Sequence, residues 1–325
     1  MRAFTYVALS SVEDALVAAD DGSAYLAGGT TLVDLMKLDV MAPSAVLDIG
    51  GLPLRDIRYD TSGLYVGALA RMSDTAAHPM VADHYPVISQ ALLQSASPQI
   101  RNMASIGGNL LQRTRCGYFR DPATPCNKRT PGSGCPALTG NNRMHAILGT
   151  SGSCAATHAS DLAVALTALD ASVQLRDRSG TRTLRLEDFY LMPADNPHLE
   201  NRLRPGELVT GVTVPVLAWA KRSVYVKVRD RRSYEFALTS VAAAIDLRNG
   251  TVADAAIAAG GVGTKPWRLR AVESALKGRP ARPEVFEQAA AHAAEGARPL
   301  PHNGFKPALL RQTVIRALTG LAGRP

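Results

Sequence analysis

Four cysteines are the residues of this chain best suited to chemistry. Cys116, Cys126, Cys135 and Cys154 are separated by nine, eight and eighteen residues. The first three lie in RCGYFRDPATPCNKRTPGSGC, residues 115–135, which is crowded with Pro, Gly and Arg and has no hydrophobic period. Because free structural cysteines are normally buried in apolar elements, this polar setting predicts that the thiols hold something.

The cysteine count and spacing leave several chemistries open. Four thiols permit two disulfides in three possible pairings, or one four-thiolate metal site. Zinc sites usually carry short CxxC pairs, which are absent here. A [4Fe–4S] cluster needs four cysteine ligands, and an irregular loop can wrap around it. The residues alone favour a cluster over zinc, disulfides or unlinked thiols.

Other residues of this segment have predicted roles around the thiols. Backbone N–H groups at 132–134 are candidate donors to sulfur, and Tyr118 and Phe119 are expected to pack the loop onto its domain. His145 is a possible ligand, but with four thiolates at hand it is predicted to be a polar loop residue. Basic side chains would offset the negative charge of a cluster: Arg113, Arg115, Arg120, Lys128 and Arg129.

Two glycine pairs indicate a second kind of site. Gly28-Gly29 stands between a predicted strand and a predicted helix, and Gly107-Gly108 follows Ser105 in an apolar context. Glycines let backbone N–H groups approach an anion closely, although a tight turn or bulge is the alternative for each pair. Neither pair fits GxGxxG or a P-loop, so a nicotinamide-type Rossmann fold is not supported. Together they predict a dinucleotide whose pyrophosphate is held from two sides.

The elements around these residues fall into three parts. Residues 10–20 predict a helix with Ser10 and Glu13 as a capping box, followed by the strand AYLAGG, the helix TTLVDLMKLDV and the strand AVLDIG. Residues 64–70 predict a strand, and PVISQALLQSAS a helix halted by Pro98.

The last third of the chain predicts a separate α+β domain. The strand VTVPVL, at 212–217, precedes this domain; the stretches SVYVKVRD and SVAAAIDLRNGTVADAAIAAGGV are followed by three helices, and Asn249-Gly250 is a strong hairpin signal. We therefore expect domains at 1–55, 56–219 (with the cysteine segment inserted at about 113–155) and 220–325.

Composition excludes several classes of function. The chain has 325 residues, 46% of them hydrophobic, and a net charge of +8 from scattered arginines with few aromatics among them, which argues against nucleic-acid binding. No stretch predicts a signal peptide or a transmembrane helix.

Several segments resemble a known family in the same order along the chain. AGGTTLVDLMK, QIRNMASIGGNLLQ, ATHASDLAVALTALDA, RPGELVTGVTVP and SVYVKVRDRRSYEFALTSVAAAI resemble the FAD-binding medium subunits of the xanthine dehydrogenase / molybdenum hydroxylase family. The resemblance implies a two-lobed α+β FAD-binding domain of the vanillyl-alcohol-oxidase / CO-dehydrogenase flavoprotein type, with a C-terminal three-stranded antiparallel sheet and helices. The FAD contacts that it implies are Ala27, Gly28, Gly29, Thr30, Thr31, Leu32, Val33, Ser105, Gly107, Gly108, Asn109, Asp161 (ribityl chain), Val209 and Lys227.

The cysteine segment resembles an insertion found in part of this family. It is most similar to the branch of bacterial periplasmic aldehyde oxidoreductases, in which one [4Fe–4S] cluster is bound; this implies Cys116, Cys126, Cys135 and Cys154 as its ligands. The hydroxybenzoyl-CoA reductase type also carries an insertion, but with different spacing.

The resemblance implies a role in electron transfer. The chain would pass electrons from a small subunit with two [2Fe–2S] clusters to an external acceptor, while a large molybdenum-cofactor subunit oxidises the substrate. The compartment implied is the periplasm, within an exported complex, with the cytoplasm as the alternative. Other functions left open are a subunit of another molybdenum hydroxylase, a standalone flavin oxidoreductase and a zinc-stapled binding module.

Overall fold

Three β-sheets, one in each successive part of the chain, organise the molecule. The computed structural model describes residues 1–323. The strands are β1 Thr5–Ala8, β2 Ser23–Leu26, β3 Ala45–Asp48, β4 Ile57–Asp60, β5 Gly63–Gly67, β6 Ser172–Asp177, β7 Gly180–Arg185, β8 Leu208–Val214, β9 Ser223–Val228, β10 Thr239–Arg248, β11 Thr251–Gly260 and β12 Trp267–Arg268.

Short helices connect and cover these sheets, and 3₁₀ turns lie at 136–138, 218–221 and 291–294. The α-helices are α1 Val12–Ala18, α2 Leu32–Lys37, α3 Met72–Ala77, α4 Pro79–His84, α5 Pro86–Leu93, α6 Pro98–Met103, α7 Ile106–Leu110, α8 Gly117–Arg120, α9 Asp161–Ala168, α10 Leu186–Phe189, α11 Arg270–Leu276, α12 Pro283–Ala290 and α13 Lys306–Ala322. Within residues 1–323, no helix has both the length and the apolar character needed to span a bilayer.

The first lobe is a small parallel sheet with strand order β1-β3-β2. Helix α1 precedes β2, and its N-cap is Ser11, whose hydroxyl accepts from the Asp14 N–H at 3.0 Å. The predicted capping box of Ser10 and Glu13 was therefore wrong by one residue. The apolar side of α1 (Val12, Ala15 and Leu16) packs into the core of this lobe.

The second lobe is an antiparallel sheet with strand order β4-β5-β8-β6-β7, contacted by α7 and α10, whereas α5 and α9 pack against each other and against the C-terminal strands β9 and β10. Helix α9 is buried along its whole length, as its small apolar residues allow. Helix α5 ends at Leu93, and Pro98 does not halt it; Pro98 instead opens α6, after Ser97, which caps that helix. Proline suits the first helical position because its missing N–H would have had no partner there.

The C-terminal sheet has four strands in the order β12-β11-β10-β9, not the expected three. The extra strand, β12, has only two residues, too few for a strand pattern to show in the sequence. The predicted hairpin at Asn249-Gly250 is confirmed: β10 and β11 are antiparallel, and the two turn residues have φ of 50° and 75°.

The cysteine segment is fastened to the C-terminal domain by a buried lysine. Lys306, at the start of α13, is 0% exposed, and its Nζ donates to the carbonyls of Met144 (3.2 Å), His145 (2.9 Å) and Gly261 (2.6 Å). The predicted domain boundaries at 55/56 and 219/220 fall between the sheets, and the cysteine segment contributes no strand to any of them.

Two glycine-to-alanine changes should shift stability in opposite directions. Gly250 has a φ of +75° and Gly320 lies in α13, and in both places an added Cβ meets nothing within 4 Å. Gly250→Ala should therefore lower the free energy of unfolding by about 1–2 kcal/mol through left-handed strain. Gly320→Ala should raise it by up to about 1 kcal/mol through helix propensity. Urea denaturation followed by circular dichroism measures both, and a loss of stability in both variants would contradict this account.

Candidate functional site

A cleft between the lobes contains two adjoining cavities. The first cavity, of about 480 Å³, lies against the cysteine segment, and the second, of about 410 Å³, lies against Thr30, Thr31, Gly108 and Asn109. Both volumes are in the range of small-molecule sites. The cavities meet at residues that line both: Arg115, Ala159, Asp161, Glu235 and Phe236. One elongated ligand can therefore occupy both.

The first glycine pair lies where the backbones of two lobes touch. A Cβ on Gly28 would stand 2.0 Å from the carbonyl oxygen of Met103, so only glycine allows this contact. Gly29 has a φ of +72°, a conformation that glycine adopts without strain. Thr30 and Thr31, which follow, line the second cavity.

The second glycine pair lies in the first turn of helix α7. It is therefore not the β-bulge or tight turn that was the alternative for this pair. Ser105 caps this helix by accepting from the Gly108 N–H at 3.2 Å. A Cβ on Gly107 would come within 2.9 Å of the Ala68 Cβ, so this glycine permits close packing. Gly108 and Asn109 line the second cavity. The two glycine pairs therefore have different roles. The first permits a contact between two backbones, and the second permits close packing at the start of a helix.

Asp161 and Lys227, both predicted ligand contacts, form a buried ion pair at 2.7 Å. Their side chains are 8% and 1% exposed, and both line the second cavity. Asp161 also accepts from Ser95 Oγ at 3.0 Å and from the Tyr225 hydroxyl at 2.6 Å. Burial, together with the Asp161 charge, raises the pKa of Tyr225 well above its usual value. The charge of Lys227 is thus balanced within the protein.

Asn109 joins the second glycine pair to this ion pair. Its Oδ1 accepts from Ser160 Oγ at 2.5 Å, and Ser160 caps α9, whose first residue is Asp161. The predicted residues at 105–109 and Asp161 are therefore held in one hydrogen-bonded unit.

Eight predicted contacts line neither cavity: Gly28, Gly29, Ser105 and Gly107, described above, and Ala27, Leu32, Val33 and Val209. Ala27 packs against the first-lobe core, and Leu32 and Val33 lie in the first turn of α2. Val209 is 4% exposed in the second-lobe core, where it pairs with Leu175 across β8 and β6. The structure does not bring Val209 to the cleft, because its strand register turns the side chain into the core.

The four cysteines come together around one small cavity. All four line it, all four are free thiols, and Cys116 lines the first cavity as well. These four cysteines therefore form no disulfide bonds in the structure. Within residues 1–323, no three His, Cys, Asp or Glu side chains stand close enough to hold a single metal ion. The space between the thiols is about 10 Å³, room for about one water, so a larger group requires the loop to open around it.

Two of the thiols interact directly. The hydrogen bond between Cys135 and Cys154 lowers the pKa of Cys135 to about 6 and raises that of Cys154. Burial raises the pKa of Cys116 to about 11. A thiolate is the form that binds metals, so Cys135 is the thiol most ready to act as a ligand.

His145 is more than the polar loop residue that was expected. It is 6% exposed, its Nε2 lies 3.1 Å from Cys116 Sγ, and burial lowers its pKa to about 4. Phe119, by contrast, packs as predicted: it is fully buried against Leu35.

The basic residues of the segment are mostly engaged elsewhere. Arg113 and Lys128 pair with Glu200 at 2.8 and 3.2 Å, and Arg129 donates to backbone carbonyls. The expected donors at 132–134 do not reach sulfur, since the Gly134 N–H goes to Asn127 Oδ1 and the Ser133 N–H to Thr130 O. Backbone contacts to the thiols come from other positions: the Ala156 N–H lies 3.4 Å from Cys154 Sγ, backbone groups of Tyr118 and Phe119 contact Cys116, and those of Ala137 and Leu138 contact Cys135.

Sequence reasoning missed several residues of the cleft. Tyr225 stands two residues before Lys227 on one strand, so alternation along β9 placed them on the same face. Asp34 and Ser95 carried no comparable signal, because tertiary packing alone brings them to the cleft.

Comparison with known proteins gives matches over nearly the whole chain. Residues 2–217 match the family model of the FAD binding domain in molybdopterin dehydrogenase, and residues 224–322 that of the CO dehydrogenase flavoprotein C-terminal domain.

Individual relatives agree with these models. The chain is 46% identical to the aldehyde oxidoreductase FAD-binding subunit PaoB of Escherichia coli (strain K12), over 98% of each chain. It is 30% identical to the glyceraldehyde dehydrogenase medium chain of Sulfolobus acidocaldarius, over 97% of this chain and 95% of that one. A chain of carbon monoxide dehydrogenase from Hydrogenophaga pseudoflava superposes with a TM-score of 0.75 at 26% identity, covering 97% of this chain and 96% of that one.

Gly28→Ala should destabilise the protein, because the new methyl group collides with the Met103 backbone. Overpacking of this kind costs roughly 1–3 kcal/mol, and thermal unfolding measures the loss. Gly152→Ala is the control, since a Cβ there meets nothing within 4 Å. Equal melting temperatures for the two variants would show that the backbone contact is not restrictive.

Lys227→Met should lower the free energy of unfolding by roughly 3–5 kcal/mol, since it leaves the buried Asp161 carboxylate uncompensated. Adding Asp161→Asn should recover part of this loss, and a double-mutant cycle in urea measures the coupling. The control is Arg231→Met, which removes an exposed ion pair with Glu235 and should cost at most about 1 kcal/mol. Strictly additive effects of the two cleft substitutions would contradict the pairing.

Proposed function

Because the chain belongs to the family of FAD-binding medium subunits of molybdenum hydroxylases, we propose that it is the FAD-binding electron-transfer subunit of an aldehyde oxidoreductase complex. Substrate oxidation takes place on another subunit of such a complex. The proposal of an aldehyde as substrate is supported by the name of the 46% identical relative.

The observation that carries the proposal is the cleft itself. Two adjoining cavities meet at Asp161, one lined by Thr30, Thr31 and Gly108 and one running toward the C-terminal domain, which suits a long dinucleotide better than a compact substrate. The donors fit this cofactor too, since threonine hydroxyls and a capped glycine helix face the second cavity, where a pyrophosphate needs donors.

The chain's own residues hold and orient the cofactor. Asp161 has four lone-pair positions and uses three with Ser95, Tyr225 and Lys227, so its carboxylate is fixed and can still accept from a ribityl hydroxyl. FAD, when bound, exchanges single electrons with iron–sulfur centres and electron pairs with soluble acceptors. Lys227, already paired, contributes little net charge to the cleft.

We infer that the partners are a small subunit with two [2Fe–2S] clusters and a large molybdenum-cofactor subunit. Electrons from the substrate would arrive through the small subunit and leave to an external acceptor. Support comes from relatives described as a medium chain or as a FAD-binding subunit, words that imply further subunits.

We also propose that Cys116, Cys126, Cys135 and Cys154 bind one [4Fe–4S] cluster. The support is chemical: four free thiols line one cavity. Admitting the cluster would require the Pro- and Gly-rich loop at 122–135 to move outward, which would break contacts such as the ion pair of Lys128 with Glu200.

The test is to purify the chain with its partners and measure flavin and iron. We expect FAD absorbance and about four irons per chain beyond those of the small subunit. Cys126→Ser should lose those irons and keep the FAD, since Cys126 lines neither cavity of the cleft.

His145→Gln is the matched control, because the histidine touches Cys116 and is not a proposed ligand. It should retain the iron. Loss of iron in His145→Gln but not in Cys126→Ser would show that the proposed ligand set is wrong. Purified protein without flavin would refute the proposed function itself.

A further inference from the structure

The charges around the second cavity do not cancel. Among the described residues, four basic and three acidic side chains line it. Asp161 pairs with Lys227 at 2.7 Å and Glu235 with Arg231 at 3.1 Å. The third acid, Asp34, is shared by two arginines, so the cavity wall holds one positive charge in excess. The seven residues are Asp34, Arg115, Arg120, Asp161, Lys227, Arg231 and Glu235.

The excess charge belongs to Arg115. Arg120 binds both oxygens of Asp34, at 2.8 and 3.0 Å, whereas Arg115 reaches one of them with a single nitrogen at 3.1 Å. The Nε of Arg115 is buried and has no hydrogen-bond partner among the described residues. This nitrogen is therefore shielded from the cavity, and the nitrogen of Arg115 left for a ligand is its second Nη, since the first Nη donates to Asp34.

The position of Arg115 identifies the acceptor. Arg115 lines both cavities, as Asp161 does, and its guanidinium lies over the Phe236 ring at 5.3 Å. Thr30 and Gly108 line the second cavity with it. In a dinucleotide that spans both cavities, the diphosphate is the central part and the only part with a full negative charge.

We propose that Arg115 is a diphosphate-binding residue of the FAD site, supplied by the cysteine segment. The inference rests on the proposed function and adds a residue to it. Guanidinium groups hold phosphate oxygens with charge-assisted hydrogen bonds, and the second Nη of Arg115 is free of Asp34 for that purpose. The residue next to Cys116 would thus contact the cofactor directly.

The test compares two flavins on the full chain freed of FAD. Kd values for FAD and for riboflavin, which has no phosphate, are measured by flavin fluorescence for the wild type and Arg115→Gln. FAD should bind about 10–100-fold more weakly to the variant, the loss of one charged hydrogen-bonding group, while riboflavin binds equally to both. Arg115→Lys keeps the charge and should lie between them.

Arg113→Gln is the matched control on the same segment. Arg113 pairs with Glu200 and lines neither cavity, so its loss should leave FAD affinity unchanged. Equal FAD binding by wild type and Arg115→Gln would overturn the inference while leaving the proposed function intact. Equal weakening of FAD and riboflavin would also overturn it, since Arg115 would then act on the fold. A wild type that binds no FAD would instead refute the proposed function.

Discussion

The buried ion pair of Asp161 and Lys227 is the interaction on which the cleft depends. Its two members come from different domains, α9 in the second lobe and β9 in the C-terminal sheet. Charges removed from water are tolerable only when paired and hydrogen-bonded, and here Ser95 and Tyr225 complete the shell of the carboxylate. The domains therefore cannot separate at this point without exposing both charges, which fixes the width of the cleft at its centre.

Much of the fold could be predicted from local pattern. Hydrophobic periodicity located the strands around the first glycine pair, and Asn249-Gly250 gave the hairpin because both residues tolerate positive φ. Local pattern failed where the signal was short or shifted by one residue. The two-residue strand β12 has no period to detect, and the true cap Ser11 stands beside an equally plausible Ser10.

Individual residues of the site could be predicted from the sequence, but the contacts between them could not. Gly28, Asp161 and Lys227 were named from sequence, yet nothing in their spacing showed that the last two neutralise each other across a domain boundary. Val209 fails for a related reason. Strand alternation offers two faces, and a β-bulge in the pairing of β6 with β8 decides which one the residue takes. The arginines beside the cysteines were expected to serve the thiols, but Asp34, some eighty positions earlier, draws two of them to the cleft.

The cysteine segment lies between α7 and α9 and adds no strand to any sheet. In evolutionary terms this makes it a module: residues can be gained or lost there without shifting the register of a single ladder. Yet the module is not inert, because it closes one side of the cleft and is fastened to the C-terminal domain by Lys306. A lineage that deleted it would lose Ile147 and Leu148 from the core of the C-terminal domain, and would have to rebuild that packing together with one wall of the cleft.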